Sequence, residues 1–128
     1  MTTKPFAAAA VAAALVCGCG GGEEPLHDVT GTVTYDGKAV PAGVVYLDPD
    51  AATGGRQGFA NIRDGKFDTA DKGRGVRGGG GYVIRVTGFD GRPVSEGPLG
   101  KPLWAPEYEF KKSIGKEKTE LPIVVPKK

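Results

Sequence analysis

The sequence predicts an all-β domain, a small sandwich of two sheets, preceded by an N-terminal export segment. Three observations carry that expectation. Short runs rich in Val, Ile, Tyr and Phe recur along the chain, each bounded by Gly, Pro or Asp-Gly. After residue 20 no stretch sustains a helical period, since "APEYEFKKSIGKEK" is too short and is broken by Gly115. Gly (22) and Pro (10) together make up a quarter of the 128 residues, which suits a loop-rich β domain of modest core.

The strands follow in order. "VTGTVTY" (Val29–Tyr35) alternates, with Val29, Gly31, Val33 and Tyr35 on one face and threonines on the other. Asp36-Gly37 then marks a two-residue turn, because glycine accepts positive φ. Pro41 argues for a bend or an edge. "VVYL" (Val44–Leu47) is a second strand, stopped by Asp48-Pro49. "QGFANI" (Gln57–Ile62) and "KFDT" (Lys66–Thr69) flank Asp64-Gly65, a second hairpin of the same chemistry. "YVIRVT" (Tyr82–Thr87) puts Tyr82, Ile84 and Val86 on one face. Tyr108 and Phe110 alternate with Glu107 and Glu109, a strand with one face buried. "LPIVV" (Leu121–Val125) is the last, with Pro122 marking its start or an edge.

The first residues are a different material. Lys4 precedes the apolar run "FAAAAVAAALV" (Phe6–Val16), too short for a settled membrane span and of the length of a secretory h-region. Val16-Cys17-Gly18-Cys19 then resembles the lipobox of bacterial lipoproteins, which makes Cys19 the lipidation site. Cys17 fits less well, because Val16 would occupy the cleavage position, where a small residue is wanted. An ordinary signal peptide with two incidental cysteines is the plainer alternative, and a Cys17–Cys19 disulfide would be strained. The expected division is a signal peptide over 1–18, a flexible tether over 19–27 and a β domain over 28–128. Lipid on Cys19 would attach the exported protein to a bacterial membrane, at the outer membrane or the periplasmic face.

"GRGVRG" (Gly73–Gly78) matches a dinucleotide-binding fingerprint, G-x-G-x-x-G. That fingerprint requires a strand before it and a helix after it, whereas here a strand follows. A mobile hairpin loop is expected instead, with an anion nest of backbone amides between Arg74 and Arg77 as a weaker reading.

"GTVTYDGKAVPAGVVYLDP", "NIRDGKF" and "GGYVIRV" together resemble the carboxypeptidase regulatory-like domain. Gly31, Val33, Asp36, Gly37, Val40, Gly43, Asp64, Gly65, Phe67, Gly81, Tyr82, Ile84 and Val86 carry the resemblance, from about residue 28 onward. It implies a seven-stranded transthyretin-like, immunoglobulin-like β-sandwich, a fold grouped with carbohydrate-binding-like folds. The chain is also similar to the small lipoproteins of planctomycete-type bacteria that join a lipobox to one such domain. Ala39 stands where the pattern often has proline, and the Gly88–Trp104 insertion exceeds a simple hairpin. These are turn and core residues, so they imply a fold and no catalytic residue.

Few groups remain for chemistry. His27 is the only histidine and lies at the tether junction, leaving Ser95 and Ser113 without a histidine base inside the domain. No cysteine follows Cys19, so neither a thiol catalyst nor a zinc site is expected. Calcium needs only oxygen ligands, but Asp48, Asp50, Asp64, Asp68 and Asp71 do not fit a D-x-D-x-D-G loop. An enzyme would need a catalytic carboxylate pair such as Glu107 and Glu109, which alternate on one face, and that reading is remote. Seventeen Lys and Arg against fifteen Asp and Glu give no basic face for nucleic acid. The expectation is therefore a non-catalytic domain without cofactor or metal, in contact with cell-envelope proteins or polysaccharide. Trp104, Tyr108 and Phe110 are the candidate ligand-binding aromatics, with packing of Trp104 at the sandwich end as the plainer role.

Overall fold

Alternation builds the first strand. β1 (Val29–Tyr35) buries Val29 and Val33 completely and turns Thr30, Thr32 and Thr34 to the outer surface. The computed structural model describes residues 25–93 and 97–127. The expected signal peptide, Cys19 and most of the expected tether lie outside the described residues.

Asp36 and Gly37, with φ of 54° and 74°, turn the chain into β2 (Lys38–Ala39). Positive φ at both central positions is the hairpin turn whose twist matches its strands. β3 (Ala42–Pro49) and β4 (Gly58–Arg63) pair antiparallel, and Asp64 and Gly65 (51° and 77°) lead into β5 (Lys66–Asp68). β6 (Gly80–Phe89) buries Tyr82, Ile84 and Val86, as its alternation predicts. β7 (Tyr108–Ile114) and β8 (Thr119–Val125) complete the set. The two-residue β2 is the strand beyond the seven expected.

The strands form one hydrogen-bonded sheet in the order β2-β1-β5-β4-β3-β6-β7, with β8 added parallel to β1. The sheet curls so that its inner faces share a single core, the small β-sandwich that the sequence predicts. β8 pairs only with β1, and such an outer strand tolerates Pro122. Among the described residues the core side chains run from Val29 to Val125, all within residues 25–128.

Two polar groups lock the core's rim. Thr69, 1% exposed, accepts a hydrogen bond from the Val29 amide and donates to Asp28 Oδ1, both at 2.9 Å. The Tyr82 hydroxyl, at the end of a buried ring, accepts from the Gly78 amide at 3.0 Å.

The glycine-rich run differs from the mobile loop expected. Arg74 exchanges both backbone hydrogen bonds with Phe59, and Val76 does the same with His27. Val76 is fully buried, so the run straps the start of the domain to β4. The Arg74 and Val76 amides already donate to carbonyls, so the anion nest cannot use them. The strap was not legible because a single buried valine among glycines has no period.

The long insertion folds back on β6. Asp90 Oδ1 accepts from the amides of Arg92 (2.9 Å) and Lys101 (3.2 Å), and the Leu103 amide donates to the Gly88 carbonyl at 2.8 Å. The Arg92 bond, and to a lesser degree the Lys101 bond, outweigh partial desolvation and hold the Asp90 carboxyl below its ordinary pKa. That return delivers Trp104 to the open end of the sandwich.

Candidate functional site

Trp104 lies over Gly88, the position on β6 where the inner row lacks a side chain. Its indole N–H donates to the Val86 carbonyl at 3.1 Å, so the ring is fixed and its polar atom is satisfied within the fold. Tyr35, from the far end of β1, packs against it with ring centroids 5.1 Å apart and planes tilted 47°. Tyr108 opens β7 on the other side. Between them lies an open cleft of about 450 Å³, with Pro106 and Pro126 in its walls. That volume is within the range of small-ligand sites, about 300–1,000 Å³.

The three aromatics named from sequence divide. Trp104 and Tyr108 line the cleft together. Phe110 stands behind them, its ring 5.5 Å from that of Tyr108 and packed on the core. Trp104 combines both roles considered for it, being half-buried against the core with its remaining surface in the cleft. Tyr35 was not anticipated as a wall residue. Its place at the end of the inner row of β1 was the available signal.

Glu107 and Glu109 also line the cleft. Glu107 Oε1 accepts from Arg85 Nη1 at 3.3 Å, and Glu109 is in register with Arg85 across β6 and β7. Arg85 is the hub of an outer-face cluster that sequence reasoning missed. Its Nε donates to Asp48 Oδ2, its guanidinium lies 4.7 Å from the centre of the Tyr46 ring, and Gln57 reaches Asp48 at 2.6 Å. Partial burial alone would raise the Asp48 carboxyl. The hydrogen bonds from Arg85 and Gln57, with the guanidinium charge, outweigh it and hold that carboxyl below its ordinary range. The Asp48 hydrogen bond, against partial desolvation, raises the pKa of Arg85 in turn. Arg85 pointed outward by alternation, but nothing in the sequence named Asp48 as its partner.

Two other acids named from sequence accept turn hydrogen bonds. Asp50 accepts from the Thr53 amide at 2.8 Å and Asp68 from the Ala70 amide at 2.9 Å. Among the described residues no three His, Cys, Asp or Glu side chains gather as a metal site requires. Nor is any helix among them long and apolar enough to cross a membrane.

No family model matches the chain. No curated protein matches it. Among solved structures it is similar to a DUF3823 family protein from Parabacteroides merdae, at 19% identity and a TM-score of 0.49. The match covers 80% of this chain and 46% of that one, so the chain spans about half the length of its structural neighbour.

Proposed function

We propose that the protein is an exported lipoprotein, anchored to a bacterial membrane through Cys19, whose β domain is a non-catalytic binding module of the cell envelope. The kinship proposed is with carboxypeptidase regulatory-like domains, on the turn and core residues named above. The observation that carries the binding role is the cleft of Tyr35, Trp104 and Tyr108 at the open end of the sandwich. Aromatic faces held rigidly, with carboxylates at the rim, suit contact with a surface molecule. Arg85 engages Glu107 as an ion-pair partner at 3.3 Å, which gives that carboxylate a role within the fold and favours the non-catalytic reading.

Cell fractionation of the wild type beside Cys19→Ala tests the anchor. The wild type is expected with membranes and the variant in the soluble periplasmic fraction. Equal distribution of the two would remove Cys19 from the account.

A second reading makes the cleft a carbohydrate-binding site. It is favoured by the fixed indole, which offers a ligand only its ring face. Titration of residues 25–128 with a panel of oligosaccharides, followed by Trp104 fluorescence, tests it. Saturable change with one sugar class, lost in Trp104→Ala, is the expected result, and emission that no sugar disturbs would exclude it.

A further inference from the structure

A second depression lies on the outer sheet face, away from the aromatic cleft, where β8, β1, β5 and β4 form a groove of about 580 Å³. Strand register sorts its lining into two rows. Glu120, Thr30 and Asp68 are direct neighbours across β8, β1 and β5, with Asn61 continuing the row on β4. One step along the strands, Pro122, Thr32, Lys66 and Arg63 form the next row. Same-face residues two apart on a strand are about 7 Å apart, which is the separation of the rows. One row carries two carboxylates and the other two cations. Asp71 and Lys72, from the turn after β5, also line the groove and offset each other in charge.

These charges do not neutralise one another. Among the described residues, Glu120, Lys66 and Arg63 form no ion pair, and Asp68 spends one oxygen on the Ala70 amide. Arg63 and Lys66 face each other directly across the hairpin, an arrangement of like charges that destabilises a strand pair unless an anion sits between them. Thr30, Thr32 and Asn61 supply neutral hydrogen-bonding groups along the same floor.

We infer that this groove binds a small zwitterion of the phosphoethanolamine type. Its phosphate would lie on Arg63 and Lys66, and its primary ammonium on Glu120 and Asp68. The row spacing selects a ligand whose opposite charges are several bonds apart, so an α-amino acid, with charges on neighbouring atoms, is too short. A primary ammonium has three N–H donors for carboxylates, which a trimethylated one lacks. Free phosphoethanolamine and the headgroup of phosphatidylethanolamine share this chemistry.

The test is an amide chemical-shift titration of residues 25–128 with O-phosphoethanolamine. Saturable shifts at Thr30, Thr32, Lys66 and Glu120 are expected. Lys66→Gln and Glu120→Gln should each weaken binding about tenfold, the size of one lost charge-assisted hydrogen bond. Inorganic phosphate alone and ethanolamine alone should each bind at least about tenfold more weakly than the whole zwitterion. Trp104→Ala should leave the affinity unchanged, which separates this site from the cleft. Co-sedimentation with phosphatidylethanolamine vesicles, but not with pure phosphatidylcholine vesicles, would identify the headgroup as the source, and soluble binding without vesicle binding would identify the free compound. A merely solvated charged face gives no saturable shift. That result, or phosphate binding as tightly as phosphoethanolamine, would overturn the inference.

Discussion

Gly88 sets the floor on which Trp104 rests, and Gly88→Ala tests that seating. A Cβ there would collide with Trp104 Cη2 and come within 2.6 Å of Cζ3. Carbon–carbon contact is comfortable at about 3.5–4.0 Å, so the ring edge must retreat by about 1 Å. That motion stretches the 3.1 Å indole bond to Val86 beyond useful length. Overpacking typically costs about 1–3 kcal/mol and a lost hydrogen bond about 1 kcal/mol. Gly→Ala returns about 0.4–1 kcal/mol through the unfolded chain, because Gly88 has no left-handed backbone to protect. The net expectation is a loss of about 2 kcal/mol, which lowers Tm by about 8–16 °C in a domain of this size. Thermal unfolding followed by circular dichroism measures it. Repeating the substitution in a Trp104→Ala background removes the clash and should abolish most of the loss. A Gly88→Ala protein with a Tm within about 1 °C of the wild type, or an equal loss in both backgrounds, would show that Trp104 is not seated on Gly88.

Three further outcomes follow from named contacts. Thr69→Val leaves the Val29 amide and an Asp28 oxygen unpaired at a buried rim, with an expected cost of about 1–3 kcal/mol in urea unfolding. Tyr82→Phe removes only the hydroxyl that receives the Gly78 amide, so about 1 kcal/mol should be lost while the fold survives by circular dichroism. Asp48 supplies a pH dependence. Its folded-state pKa lies below the unfolded value of about 3.9, so its stabilisation is complete above that value and fades as pH falls through the lower folded one. Urea unfolding should therefore show Asp48→Asn less stable than wild type by a constant amount from pH 5 to 7, with the gap closing below pH 4. A gap that widens in acid would contradict the Asp48–Arg85 account.

Local chemistry was legible where one residue dictates its own geometry. The alternation of Val29, Val33 and then Tyr82, Ile84, Val86 predicts buried faces because side chains reverse at every step along a strand. Asp36-Gly37 and Asp64-Gly65 predict their turns because few residues accept two positive φ angles in succession. Partnership was not legible, because it depends on how distant strands meet. Nothing in Leu121–Val125 specifies that β8 runs parallel to β1, or that Tyr35 closes on Trp104. The same holds for Asp48, which reads as a turn residue beside Pro49 until the pairing of β3 with β6 brings Arg85 to it. The two charge rows of the outer groove likewise exist only once three strand registers are known.

The central proposal is that the aromatic cleft is the surface through which the protein makes contact with a partner. Photo-crosslinking from position 109, at the cleft rim, tests it most directly in cells producing the full chain. The account predicts one discrete adduct that disappears with Trp104→Ala, and glycosidase digestion then separates a polysaccharide partner from a protein. The absence of an adduct, or one that persists unchanged in Trp104→Ala, would contradict it.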